Sequence, residues 1–309
     1  MLRADTAGDP LGRRGLWTGL RLEQISQQLQ GLGLWVCPNT VRRLLDLLGY
    51  ALQVNRKSLC GRQSPHRDLQ FQYLGHQRRE FTQAGLPMVS VDTKKKEMVG
   101  RFKNAGQLWS RQALPVNDHD VRSQAKGMVI PRGLYDLQAN RGSVLLGTSH
   151  DTPEFAVDAL VEWWRGQGRR TYPQACELLI LADSGGSNSA RSRLWKCALQ
   201  EKLVDPHQLA VTVCHYPPGA SKWNPIEHRL FSEISKHWAG QPLTDYERIV
   251  HLIAGTQTQT GLQVTCALSA EHYATKVKVS DDRMAGLDLF KHDVLPEWNY
   301  TIIPRINRN

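Results

Sequence analysis

From Leu22 the apolar positions fall at Leu22, Ile25, Leu29 and Leu32, a spacing that gathers them on one helical face and stops at Gly31 to Gly33. A second helix follows. Pro38-Asn39-Thr40 opens it, Val41, Leu44, Leu45 and Leu48 line one face, and Gly49 ends it, while Arg42 and Arg43 fall off the apolar stripe. Two short helices joined by a Gly-containing turn fit a helix-turn-helix, whose second helix enters the DNA major groove; an ordinary helical hairpin has the same pattern. The residues ahead of it, 1–20, are rich in Gly, Arg and Asp without periodicity and read as an irregular lead-in to a module over 21–52. Residues 53–86 are polar, with a helical middle from Asp68 to Gln83, and read as a connector that Gly85-Leu86-Pro87 ends.

Beyond residue 87 short apolar runs alternate with helical patterns. A strand ends at Asp92, Met98 to Lys103 is a further short apolar run, and a polar excursion runs to about Gly127. Gly133 to Leu137 and Ser143 to Thr148 form a strand pair around the turn Asn140-Arg141-Gly142. Thr152-Pro153-Glu154 starts a helix through Trp163 and Trp164, which read as core or interface side chains in preference to base-stacking groups. The strand Leu178 to Ala182, a helix from about Ser189 to Lys202, the strand Val211 to Cys214 and a helix carrying Glu227 complete the series. This order predicts an α/β domain over 87–309, a sheet covered by helices.

Two of these strands end on an aspartate: Asp92 after Leu86-Pro87-Met88-Val89-Ser90-Val91, and Asp183 after Leu178-Leu179-Ile180-Leu181-Ala182. A third acid lies in Asn224-Pro225-Ile226-Glu227. Asn224 is suited to cap and Pro225 to open a helix, which places Glu227 in the first turn. Carboxylates from strand ends and a helix start offer the hard oxygen ligands that Mg²⁺ or Mn²⁺ takes. Two such ions roughly 4 Å apart activate a water or 3′-hydroxyl and stabilise the leaving oxygen in attack on a phosphodiester. Taken singly, Asp92 also fits a cap of the turn into Thr93-Lys94-Lys95-Lys96, Asp183 a cap of the Ser184 to Asn188 loop, and Glu227 a favourable charge at a helix N-terminus. Their order, with 90 and then 43 residues between them, favours the joint reading. Lys94, Lys95, Lys96 and Lys222 are candidate contacts to DNA phosphates, although a Lys run equally fits a solvated face.

Charge points the same way. The net charge is +10, and residues 1–80 carry 12 Lys/Arg against 6 Asp/Glu while the other 229 carry 27 against 23. A basic N-terminal part suits a polyanion, with Arg42 and Arg43 as its candidate DNA contacts. The six cysteines include no Cys-x-x-Cys pair, and the chain has no secretory h-region and no apolar run near membrane-spanning length, so no membrane is expected and a reducing cytoplasm is the default.

These stretches resemble DDE transposases of bacterial insertion sequences, of the Rhodopirellula-type group distantly akin to mariner-like enzymes. The resemblance rests on Val89-Ser90-Val91-Asp92-Thr93-Lys94-Lys95-Lys96-Glu97, Phe102-Lys103-Asn104-Ala105-Gly106, Gly147-Thr148-Ser149-His150-Asp151-Thr152, Ala182-Asp183-Ser184-Gly185-Gly186-Ser187-Asn188, Val213-Cys214-His215-Tyr216-Pro217-Pro218-Gly219, Ser221 to Phe231 and Trp298-Asn299-Tyr300-Thr301-Ile302. It implies an RNase H-like catalytic domain, a mixed sheet flanked by helices, behind a small all-α helix-turn-helix module. It also implies Asp92, Asp183 and Glu227 as the acidic triad, with Mg²⁺ or Mn²⁺, two ions, as cofactor. The implied partners are double-stranded transposon ends and target DNA, with a homo-oligomer as the active form, working in the bacterial cytoplasm at the nucleoid. Family members usually carry a further N-terminal helix-turn-helix region, which this chain is expected to lack, and Leu114 to Gly127 departs from the family's pattern. An idle or truncated DNA-binding derivative acting as a repressor, and a general nuclease of the same fold, are the alternatives.

Overall fold

The computed structural model describes residues 6–7, 17–53 and 64–305, in two compact units, Met1–Leu59 and Cys60–Asn309. Most of the expected lead-in, residues 54–63 of the expected connector and Cys60 lie outside the described residues. In the first unit, β1 (Thr6–Ala7) pairs antiparallel with β2 (Trp17–Thr18), and α1 (Leu22–Gly31) is followed by α2 (Pro38–Leu47). Pro38 takes the first helical position, where its missing N–H costs no helical bond. Ile25 and Val41 are buried, but Leu44 and Leu48, expected on the covered face of α2, are exposed, as are Arg42 and Arg43.

The second unit begins with α3 (Arg67–Gln83). Then come β3 (Met88–Thr93), β4 (Glu97–Val99), β5 (Gly127–Asp136) and β6 (Arg141–Gly147). Helix α4 (Pro153–Trp163) runs through a π turn into α5 (Arg169–Thr171), and β7 (Glu177–Asp183) follows. Helix α6 (Arg193–Ala198) likewise passes through a π turn to α7 (Asp205–His207), ahead of β8 (Ala210–Tyr216). A π turn over Glu227–Phe231 leads into α8 (Ser232–His237), then α9 (Tyr246–Ala254), β9 (Gln263–Leu268), α10 (Asp281–Ala285), β10 (Leu289–Lys291) and β11 (Asn299–Ile302).

Among the described residues nine strands form one mixed sheet in the order β10-β11-β8-β7-β3-β5-β6-β9, with β4 paired to β5. At its centre β3 pairs antiparallel with β5 and β5 with β6, whereas β3–β7 and β7–β8 are parallel. That arrangement is the RNase H-like fold. Alternate residues of the central strands serve different faces, as the pleat requires. Val89, Val91, Leu178, Ile180 and Ala182 pack with Phe155, Leu160 and Trp163 of α4, while Leu179 and Leu181 face Leu74 and Phe81 of α3. Trp163 and Trp164 are core, as expected. On the β5–β6 half, Val129, Tyr135 and Val144 pack against Ile226, Leu230, Phe231 and Ile234.

Two elements differ from the sequence pattern. The segment read as a connector is no linker: α3 lies on the sheet, so the second unit starts well before residue 87. Its buried Gln70, bonded to the His215 carbonyl and to Asn299, hid that face from a hydrophobic count. Strand β5 begins at Gly127, six residues before the expected Gly133, because Pro131 and Arg132 made the run look unlike a strand; Pro131 nevertheless holds register opposite Leu146.

Gly133 pairs with Asp92 across the sheet, and a Cβ there would lie 2.8 Å from Phe231 Cζ and 3.0 Å from Ile226 Cδ1. The helix bearing Glu227 rests on that missing methyl. Gly133→Ala is expected to destabilise the protein by about 1–3 kcal/mol through overpacking, read from chemical denaturation against wild type; an unchanged midpoint would refute the close fit.

Candidate active site

The parallel pairing of Val91 with Ala182 sets Asp92 and Asp183 side by side at the carboxyl ends of β3 and β7, the edge where open α/β sheets bind ligands. From β8 the chain turns through Pro217-Pro218-Gly219, where Gly219 takes φ +75, and returns over the same edge to bring Glu227 beside Asp92. Asp92 and Glu227 are close enough to act on each other's ionisation, and the Thr93 N–H donates to Asp92 Oδ1 at 2.7 Å.

Asn224 joins the three elements. It is fully buried, its Nδ2 donates to Asp183 Oδ1 at 3.2 Å, and its Oδ1 accepts a short bond from Ser90 Oγ. Ser90 Oγ in turn accepts from the Ile226 N–H at 3.2 Å. The side-chain cap expected of Asn224 is absent; its backbone carbonyl takes the Glu227 N–H at 3.1 Å, and its amide is turned into the site.

A buried cation lies beneath. Arg132 is 1% exposed, and its Nη1 donates to Asn188 Oδ1 at 2.8 Å, Thr93 Oγ1 at 3.1 Å and Ser187 Oγ at 3.2 Å. Nε and Nη2 have no hydrogen-bond partner among the described residues. Asp151, Asp92 and Asp183 all act on this guanidinium, and Asp151 Oδ1 also lies 3.4 Å from Thr93 Oγ1. The sequence reading missed Arg132, Asp151 and Ser90. A lone arginine inside an apolar run, Met128 to Leu134, was the available signal for Arg132.

Burial raises all three carboxyls, Asp183 most clearly: to about 7 from 3.8, first by desolvation and then by the charge of Asp92. For Asp92 burial outweighs the Thr93 N–H and Arg132, and Glu227 is raised by burial and by Asp92. Three crowded oxygen donors that resist ionising together suit a divalent cation, which relieves both the burial cost and the repulsion. As they stand they lean on Thr93 and Asn224, and among the described residues no three His, Cys, Asp or Glu side chains converge as metal ligands. A cavity of about 680 Å³ opens beside the acids, lined by Asp92, Asp183, Ser184, Gly185, Ser221 and Trp298 among others.

The candidate phosphate contacts are placed unequally. Lys94 is drawn inward, its Nζ 4.7 Å from the Trp238 ring centroid and 3.4 Å from Glu97 Oε1, whereas Lys95, Lys96 and Lys222 are exposed. Exposed His228 bonds the Lys222 carbonyl. Arg42 and Arg43 belong to the first unit. Burial holds His215 neutral, near 4, with Nδ1 3.0 Å from the Asp183 carbonyl oxygen.

An RNase H-like sheet with two aspartates at adjacent strand ends and a glutamate returning over them has the architecture of a DDE domain. The chain belongs to the family described as Rhodopirellula transposase DDE domain, which it matches over residues 1–304. Among solved structures it is similar to the Mos1 transposase paired-end complex with left transposon end, at 16% identity and TM-score 0.43, covering 75% of this chain and 64% of that one. The Mos1 strand transfer complex gives 17% identity and 0.43, and the mariner Mos1 paired-end complex with Mg 17% and 0.44, both with 75% and 64% coverage. The chain thus spans 64% of the length of the Mos1 chains just described. No curated protein matches it. Among the described residues no helix is long and apolar enough to cross a membrane.

The Asp183 shift has a definite sign. Between pH 4 and pH 7 the unfolded chain has released a proton that the folded protein keeps, so stability falls as pH rises through that window and stays lower above it. In EDTA, Asp183→Asn is expected to melt at a higher temperature than wild type at pH 8 and at about the same temperature at pH 4. Adding Mg²⁺ at pH 8 should raise the melting temperature of wild type much more than that of the variant; identical responses would remove Asp183 from the ion site.

Proposed function

We propose that this protein is a metal-dependent DNA transposase that cleaves strands at the ends of an insertion sequence and joins them to target DNA. The observation that carries the reading is the gathering of Asp92, Asp183 and Glu227 at one sheet edge, with ionisation opposed by burial at all three and by the charge of Asp92 at Asp183 and Glu227. These three would hold Mg²⁺ or Mn²⁺, two ions in the full site, and the ions would activate the attacking oxygen and stabilise the leaving one. The chain's own residues set the geometry: Asn224 aims Asp183, the Thr93 N–H orients Asp92, and buried Arg132 offsets the negative charge from below.

In this reading Lys95, Lys96 and Lys222 contact DNA phosphates beside the acids, and Lys94 supports the loop that carries them. Arg42 and Arg43 contact the duplex from a helix-turn-helix in the first unit, and the active form is a homo-oligomer holding two ends. The protein works in the bacterial cytoplasm, associated with the nucleoid.

The decisive assay is an end-labelled duplex carrying the element's own terminus, incubated with each ion. Mg²⁺ or Mn²⁺ should support nicking, whereas Ca²⁺, larger and looser in coordination, should support binding with little turnover. Asp183→Asn should lose cleavage by several orders of magnitude and keep nearly full DNA affinity. Binding without any nick in Mn²⁺ would identify an idle repressor-like derivative, and nicking without joined products a general nuclease.

A second measurement addresses the first unit. Replacing Arg42 and Arg43 together by Ala should weaken duplex binding and flatten the slope of log affinity against log salt by up to about 1.8, the value for two lost phosphate contacts. An unchanged slope would assign α2 a purely structural role.

A further inference from the structure

Beside the acid cavity lies an aromatic and basic ledge whose rings the cleavage chemistry leaves unused. Trp223 is 54% exposed, in a residue type that is usually well buried, and it immediately precedes Asn224, the side chain that holds Asp183. Phe71 of α3 meets it at 73° with ring centroids 6.1 Å apart, and Phe71 also tilts against Tyr216 at 6.3 Å. Two cations attend these rings: Arg67 Cζ lies 5.4 Å from the Phe71 centroid, and Lys222 Nζ lies 5.4 Å from the Trp223 centroid. Ser221, two residues before Trp223, lines the acid cavity itself.

An exposed indole braced by the Phe71 ring, with cations beside both rings, has the make-up of surfaces that bind single strands, where bases stack on aromatic faces and Lys or Arg track the backbone. Bases inside a duplex cannot use such a ring, because both of their faces are already stacked on their neighbours. We propose that Trp223 is a stacking platform for an unpaired nucleobase of the strand entering the acid site, with Lys222 and Arg67 taking the neighbouring phosphates. The proposal rests on the reading of the site as one that acts on DNA. It adds that the substrate is bound partly unpaired, and it names the residue that holds the opened strand.

The test uses the full chain in EDTA, so that no cleavage intrudes, and three labelled DNAs followed by fluorescence anisotropy. These are a blunt duplex, the same duplex with a short oligothymidine tail on either the 3′ or the 5′ strand, and the tailed duplex with abasic sites in place of the tail bases. Wild type should prefer a tailed duplex, and removing the tail bases should weaken binding by between about 5- and about 100-fold. Trp223→Ala should impose the same loss on the intact tail, lose nothing further with the abasic tail, and leave blunt-duplex binding alone, while Trp223→Phe keeps most of the preference. Two results would overturn the platform: a wild-type protein indifferent to the tail bases, which needs no variant to detect, or a Trp223→Ala loss equal for blunt and tailed duplexes, as expected of a surface for protein or for general packing. Nicking in Mn²⁺ with either result leaves the active-site reading standing and removes the platform alone. Failure to bind any of the DNAs together with failure to nick removes both.

Discussion

The geometry of the acids depends on one buried amide. Asn224 is bonded at one end to Ser90 in β3 and at the other to Asp183 in β7, and its own backbone starts the helix that carries Glu227. Three elements far apart in sequence are thereby tied at a single point. A network of this kind is all or nothing: loss of one partner leaves the others desolvated and unpaired, at about 1–3 kcal/mol for each group. Ser90 completes it by serving two masters, giving its proton to Asn224 and accepting from Ile226.

Electrostatics imposes the second constraint. Asp92, Asp183 and Asp151 share a single fully buried guanidinium and Glu227 adds a further carboxyl beside Asp92, so the site has more negative charge than that one cation offsets. The deficit is met first by protons, as the raised Asp183 carboxyl shows. Lys94 acts on Glu227 without closing the deficit, its ammonium being shared with Glu97 and the Trp238 ring, and Lys95 and Lys96 are exposed.

Much of this was legible in the chain, for identifiable reasons. Asp92 and Asp183 stood out because β3 and β7 are covered on both faces and so read as unbroken apolar runs with an acid at the end. Glu227 stood out because a proline marks a helix start. What stayed hidden depends on partners distant in sequence. The local rule for Asn224 predicts a cap, and Ser90, 134 residues away, together with Asp183 draws the side chain elsewhere. Arg132 looked like a break in a strand because Thr93, Ser187 and Asn188, which satisfy it, come from other elements. The helical span of α3 was legible, but its place on the sheet was not, because its buried face includes a glutamine whose amide is fully used.

The π turn that Glu227 opens gives the helix one residue more than α-helical winding would require over Glu227–Phe231. Such a turn is an inserted residue absorbed without breaking the helix. Glu227 lies at its leading end, fixed to the sheet through Asn224 and Ile226, while Leu230, Phe231, Ile234 and Trp238 after it are fixed by the core. The π turn runs from the first of these anchorages into the second. The distance in sequence from the third acid to the apolar face behind it is therefore a quantity that can drift by one residue in descent, with the acid held in register and the winding of a single turn taking up the difference.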